Sequence, residues 1–247
     1  MRMKTAGATP EDLLAPFHAL NEGQVCISAA QGSRFAKHIA GDHNPLHDED
    51  ASRFCVPGDL LFALIVQRCG LARVMRLQFR GMLRGDTPLT FPDAPGEQLA
   101  VTDAQGREYV IAHYEEPLTT PSAALQGLIQ QYVACSGQTF PGLLHPLLRD
   151  QGVMFNPERP LVVYDSMGIQ LQAPLTEPPV VRLRHSELTV SGKRGEVDYQ
   201  YDILQAGRLI GECWKKMLIS GLRPYDDAAM ESMIERYRQR AAAAAAG

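Results

Sequence analysis

The sequence predicts an α+β fold in which two successive blocks each place an apolar helix ahead of alternating strands. Three observations predict it. The stretch Asp59-Leu60-Leu61-Phe62-Ala63-Leu64-Ile65-Val66 is apolar on nearly every side, the pattern of a helix wrapped by the rest of the chain. Downstream the period drops to two, with Leu77 and Phe79 alternating with Arg76, Gln78 and Arg80, as in a half-buried strand. The theme then returns: Leu125, Leu128, Ile129 and Tyr132 follow helical spacing, and the alternating runs Val181/Leu183 and Val197/Tyr199/Tyr201/Ile203 come after them.

In chain order, Glu11 to Leu20 reads as a short helix. Ser28 is a candidate N-cap, with Gln31 at the capping-box position, for a helix carrying Phe35, Ala36 and Ile39 and ending at Gly41, a common C′ residue. Pro57-Gly58 leads into the apolar helix, which ends at Gly70 or runs on towards Met75. The turn Asp103-Ala104-Gln105-Gly106 precedes a strand in which Tyr109, Ile111 and His113 share a face, so His113 reads as a core histidine. Gln205-Ala206-Gly207-Arg208 is the turn of a long hairpin, and Trp214 and Met217 in its second strand read as core or interface. From Asp226 the tail reads as a polar helix ending in an alanine run, with no role assigned.

The composition narrows the function classes. With 247 residues the chain suits one large domain or two small ones, and 45% apolar against 21% charged residues is a globular balance. A net charge of −4 argues against a nucleic-acid partner. Five scattered cysteines, with no C-x-x-C pair, predict free thiols in a reducing compartment. No segment approaches the roughly 20 apolar residues of a membrane span, so a cytoplasmic protein without a membrane partner is expected. No zinc, EF-hand, Walker or G-x-G-x-x-G spacing occurs, and no metal or cofactor is expected.

An internal echo accompanies the repeated theme. Ser28-Ala29-Ala30-Gln31-Gly32 resembles Ser122-Ala123-Ala124-Leu125-Gln126-Gly127, and Val56-Pro57-Gly58-Asp59-Leu60-Leu61 resembles Phe140-Pro141-Gly142-Leu143-Leu144. Their shared order points to duplication. The second copy lacks the stretch that holds Asp42, Asn44 and His47, which leaves one half with chemistry and the other as scaffold.

That stretch, Gly41-Asp42-His43-Asn44-Pro45-Leu46-His47, is the best candidate for acid–base work. Pro45 disfavours a helical Asn44, so the loop is turned and can aim a carboxylate and an imidazole at one point. Such a pair can deprotonate a water and later return the proton. Asn44 can hold the loop or orient a ligand. Gly58, at the mouth of the apolar helix, offers backbone N–H groups to a developing oxyanion. The same residue types also make ordinary turns. Asp48, Glu49 and Asp50 read as caps of a short following helix. Arg68, Arg73, Arg76, Arg80 and Arg84 could meet phosphates or form a solvated strand face, and the alternation of Arg76 and Arg80 favours the latter.

The run Phe35-x4-Ala40-Gly41-Asp42-His43-Asn44-Pro45-Leu46-His47 resembles the signature of MaoC-like, R-specific enoyl-coenzyme A hydratases of the hot-dog fold. Arg53-Phe54-Cys55-Val56-Pro57-Gly58-Asp59-Leu60-Leu61-Phe62-Ala63 is similar to an uncharacterised bacterial family related to them. The resemblance covers residues 28–70. It implies a double hot-dog, two antiparallel sheets each wrapping a central helix, with a single elaborated hot-dog as the alternative. Residues 25–117 would form the N-terminal hot-dog with the motif, 121–222 a degenerate second one, and 223–247 a helical tail.

The resemblance also implies a reaction, hydration of a trans-2-enoyl thioester or its reverse. Asp42 and His47 would activate water and the Gly58 N–H would polarise the thioester carbonyl. Asn44, Asp59, Leu60, Leu61 and Leu64 would contact substrate, the leucines lining an acyl tunnel. The expected ligand is a small acyl thioester such as a coenzyme A ester. A non-catalytic acyl-thioester binder and a hot-dog thioesterase are the alternatives. The chain departs from the hydratases in a shortened segment before the helix, in Pro57 where they carry a histidine, and in Asp59, whose charge could oppose an oxyanion. A homodimer through an exposed sheet edge is possible.

Overall fold

The computed structural model describes residues 12–92 and 96–246. Ten strands form one sheet: β1 (Ala19–Asn21), β2 (Gln24–Cys26), β3 (Leu71–Phe79), β4 (Leu89–Thr90), β5 (Gln98–Asp103), β6 (Glu108–Leu118), β8 (Leu161–Leu171), β9 (Val180–Ser191), β10 (Arg194–Gln205) and β11 (Arg208–Ser220). β7 (Val153–Met154) and β12 (Arg223–Pro224) make a separate small pair. The large sheet runs β1-β2-β4-β5-β6-β3-β8-β11-β10-β9, with antiparallel neighbours throughout.

Among the described residues five α-helices accompany it: α1 (Ala29–Phe35), α2 (Gly58–Cys69), α3 (Ser122–Ala134), α4 (Leu144–Asp150) and α5 (Asp227–Ala246). The antiparallel sheet around a central helix is thus present. α2 is the wrapped helix, buried from Asp59 to Val66 without a break. α3 packs beside it, and Phe62 meets Tyr132 edge-on at 4.7 Å. After each of these two helices comes a strand, β3 or β8, that lies next to the last long strand of its own segment, β6 or β11. β3 and β8 also pair with each other, Val74–Gln78 against Ser166–Gln170, so the sheet is continuous across the middle of the chain.

Several local expectations hold. Ser28 caps α1 with the full capping box, its side chain accepting from the Gln31 N–H and its own N–H donating to the Gln31 side chain. The helix continues as a π-turn over Ala36–Ala40 and stops at Gly41, φ 67°, a conformation glycine adopts without a Cβ penalty. The β10–β11 hairpin turns at Ala206-Gly207.

Others are corrected. The expected helix over residues 11–20 is a single 3-10 turn, Ala15–Phe17, followed by β1; Glu11 lies outside the described residues. Gly70 closes α2, and residues up to Met75 already belong to β3. No helix follows the motif at Asp48; that carboxylate instead pairs with Lys37 at 3.0 Å and Arg240 at 3.6 Å. His113 is exposed, because Val110, Ala112 and Tyr114 form the face of β6 turned fully inward. β8 was not anticipated, since its first six residues are all half-buried and show no alternation.

The internal echo does not align the two segments as expected. Ser122 opens α3, the partner of α2, whereas its counterpart Ser28 caps α1. The tail helix is not wholly polar: Met230, Ile234 and Tyr237 are buried on one side of α5. Among the described residues no helix is long and apolar enough to cross a membrane.

Candidate functional site

The motif loop is built from two successive Asx turns. Asp42 Oδ1 accepts from the Asn44 N–H at 2.9 Å, and Asn44 Oδ1 accepts from the Leu46 N–H at 3.1 Å, capping a 3-10 turn Pro45–His47. Asn44 therefore has its carbonyl committed to the loop. Gly41 passes close to Gly137, where a Cβ would come within 2.6 Å of the Ala40 carbonyl. The segment after α3 thereby presses the loop into place.

His47 Nδ1 lies 2.7 Å from the carbonyl oxygen of Cys55. That oxygen can only accept, so Nδ1 carries the proton and Nε2 presents a lone pair when the ring is neutral. Nε2 is 3.7 Å from Asp42 Oδ2. At that spacing the two atoms can both contact one water. Burial pushes the Asp42 carboxyl above its ordinary value, opposed by the neighbouring His47 and the Asn44 N–H.

Two cavities, of about 270 and 230 Å³, both reach Asp42, Asn44 and Tyr164, and so form two arms of one cleft. One arm contains His47, Gly58, Leu61, Phe79 and Arg80. The other runs beneath α5, between Phe140, Phe155, Met233 and Tyr237, with Arg236 and Arg240 in its wall. Leu61 lines the cleft, but Leu60 and Leu64 are buried in the core and line neither arm. The Gly58 and Asp59 N–H groups have no acceptor among the described residues. The other arginines are engaged locally: Arg73 with Glu116 and Arg76 with Glu115, while Arg68 sits over Phe91.

Asp59 does not stand as a free carboxylate at the helix mouth. Its Oδ1 takes a 2.8 Å salt bridge from Lys215 Nζ, and its Oδ2 accepts from the Ser136 hydroxyl at 2.6 Å and the Tyr164 hydroxyl at 3.1 Å. Lys215 also donates to Ser136 Oγ at 2.6 Å and stands 4.7 Å above the Tyr132 ring. Both charged side chains are almost wholly buried, at 1% and 2% exposure.

Sequence reasoning passed over Ser136, Tyr164, Lys215 and Tyr237. One signal for Lys215 was available. From Gly211 onward β11 alternates, and Cys213, Lys215, Met217 and Ile219 are inward residues. A lysine in such a row demands a partner.

No curated protein matches the sequence. Solved structures with some likeness include an acyl-CoA thioesterase II from Mycobacterium marinum, at 9% identity and TM-score 0.42 over 84% of this chain and 96% of that one. A MaoC-like dehydratase shows 10% identity and TM-score 0.42 over 83% and 99%. A conserved protein of unknown function with hot dog fold from Alicyclobacillus acidocaldarius shows 10% identity and TM-score 0.40 over 85% and 97%. The family match is of a different order, because a single family model spans residues 12–228. The chain belongs to the family described as Protein of unknown function (DUF3581).

Proposed function

We propose that the chain is a double hot-dog that hydrates a trans-2-enoyl thioester, or dehydrates the 3-hydroxyacyl product. The observation that carries this reading is the single cleft that joins Asp42, His47 and the open N-terminus of α2 at Gly58. Water held between Asp42 Oδ2 and His47 Nε2 bonds to C3, and its proton passes to the pair. The electrons of the C2–C3 double bond move onto the thioester oxygen, which the Gly58 N–H receives. The proton then returns at C2, and no atom is gained or lost beyond the added water.

The two arms suit the two ends of such a substrate. The arm beneath α5, walled by Phe140, Leu144, Phe155 and Met233, fits the acyl chain. The arm with Arg80 fits the thiol-bearing carrier, whose phosphates an arginine can meet. The reading of Asp59 as an obstacle loses force, since its charge is matched by Lys215.

The test is an assay with crotonyl-coenzyme A that follows enoyl absorbance and free thiol together. Loss of absorbance without thiol release, absent in Asp42→Asn and His47→Ala, is the expected result. Thiol release would mark a thioesterase instead. No change above the Asp42→Asn and His47→Ala controls, with binding by thermal shift, would leave a thioester-binding protein.

A further inference from the structure

Among the described residues the most deeply buried acid and base, Asp59 and Lys215, lie beside the motif and not in it. Asp59 is the second residue of α2, directly after Gly58. A lone carboxylate there would sit against any anionic oxygen held by the Gly58 N–H. Burying a charge is costly unless it is paired and hydrogen-bonded. Here every polar hydrogen of the cluster has a place. Lys215 gives one to Asp59, one to Ser136 and points at the Tyr132 ring; Ser136 and Tyr164 turn theirs towards Asp59 or each other. Ser136 Oγ has three polar partners, Asp59, Tyr164 and Lys215. The cluster is closed upon itself. Its components come from α2, the turn after α3, β8 and β11, the last three belonging to the second half of the chain.

We propose that Lys215 is a positioning residue: it cancels the charge of Asp59 at the N-terminus of α2, so that the helix mouth can hold an anionic oxygen. This rests on the hydratase reading for its consequence in turnover, but the charge cancellation is a property of the chain alone. Lys215 acts through Asp59 and lines neither arm of the cleft.

Charge cancellation separates from a merely structural role by pH. A buried carboxylate stripped of its cation holds its proton to higher pH. In Lys215→Met the helix mouth is therefore neutral at low pH and negative at high pH. The other titratable groups around Asp59 are Asp42, Tyr132, Cys135, Tyr164 and Tyr201. Burial pushes Cys135 up to about 11 and the three tyrosines higher, which leaves Asp42 as the background titration common to all variants.

The experiment compares wild type, Lys215→Met and the double variant Asp59→Asn/Lys215→Met from about pH 5 to about pH 8.5, by crotonyl-coenzyme A turnover and by thermal unfolding. Lys215→Met is expected to lose kcat by about 10²-fold at the alkaline end, the scale of one oxyanion donor, with KM little changed. The double variant is expected to regain most of that rate and to show no extra pH limb. Thermal stability follows the same sign. A carboxyl with a raised folded pKa stabilises the fold while protonated, and that contribution is lost as pH rises.

A Lys215→Met loss that is equal at every pH and not restored in the double variant overturns the proposal, as does an unaltered rate. Should Lys215→Met fail to fold, the double variant decides alone: activity within about tenfold of wild type supports the proposal, and a larger loss overturns it. If wild type does not turn over crotonyl-coenzyme A, the hydratase reading falls. The pH slope of unfolding in Lys215→Met against the double variant then tests the charge cancellation by itself. A slope present in the first and absent in the second supports it, and matching slopes overturn it.

Discussion

α2 and α3 are twelve and thirteen residues long, lie against each other, and each begins directly after a proline. Their mouths differ completely. At α2 an elaborated loop brings Asp42 and His47 to the first turn, and a buried acid sits at the second helical position. At α3 the first two residues are exposed, only one face is buried, and no acidic residue occupies the first turn. On the proposed reading, the same scaffold carries chemistry at one helix and none at the other. Yet the second half is not inert. It supplies Ser136, Tyr164 and Lys215, the groups that make Asp59 tolerable at the mouth of α2. The first half holds the Asp42–His47 pair, and the second supplies the partners of Asp59.

The largest effect should separate the two mouths outright. Asp42→Asn is expected to lower kcat/KM for crotonyl-coenzyme A by about 10²- to 10⁴-fold, the range for a general acid–base group. Ser122→Ala at the mouth of α3 should leave it unchanged. Because burial raises the Asp42 carboxyl, and the reaction needs it ionised, the acid limb of kcat/KM should lie above the ordinary carboxylate range. A limb at the ordinary position would show that Asp42 is freely solvated during turnover.

Neighbouring lysines of β11 sharpen the same comparison. Lys215 faces inward to Asp59, whereas Lys216 pairs with Glu196 on the outer face at 2.7 Å. Lys215→Met should cost about 3–5 kcal/mol in urea unfolding, since it strands a buried carboxylate. Lys216→Met should cost about 0–1 kcal/mol. Equal costs would mean that the buried pair is no more than surface-like in energy.

These contrasts also show where the sequence was readable. The wrapped helix was plain because Leu60 to Val66 leaves no polar face, and the motif loop because Asp, Asn and Pro at that spacing fix turns. The capping box at Ser28–Gln31 is a purely local device, and local devices are visible in one stretch of chain. The Asp59 cluster was hidden because its members are 77 to 156 residues apart in pairs with Asp59. Nothing in the sequence near Asp59 announces Lys215; only the inward phase of β11 does. Tyr237 was hidden for a related reason. Its helix is studded with charge, and the buried side emerges only when α5 lies over the cleft.

Two glycines, one at the mouth of α2 and one in the second turn of α3, test whether the helices differ in function rather than packing. A Cβ at Gly58 would approach Tyr164 to 2.8 Å and Phe79 to 3.1 Å, and a Cβ at Gly127 would approach Pro178 to 2.6 Å. Both alanine substitutions overpack a filled space, so each should cost about 1–3 kcal/mol. Only Gly58→Ala should also reduce kcat, because it displaces the Tyr164 ring that borders the cleft and touches Asp59. Equal turnover in the two variants would detach Gly58 from the reaction.

The smallest expected effect, a pH slope of stability, separates the two histidines of the motif loop. His47 faces the cleft with its Nδ1 hydrogen bonded to Cys55. His43 turns the other way, against α5: its backbone N–H donates to the Tyr237 hydroxyl at 3.1 Å, its ring meets the Tyr237 ring edge-on, and its buried Nδ1 has no partner among the described residues. Burial holds His43 below its ordinary value of 6.5. The stability of the neutral ring is thus fully present above that value and is lost as pH falls towards the depressed folded one. Wild type should accordingly lose stability on acidification below 6.5, with a slope of at most about 1.4 kcal/mol per pH unit from this group. His43→Leu should flatten that slope, read by thermal unfolding, while retaining turnover. His47→Leu should abolish turnover and keep the slope. A turnover loss in His43→Leu as large as in His47→Leu would mean that the packing of α5 on the loop, and not the cleft-facing pair alone, sets the geometry of Asp42.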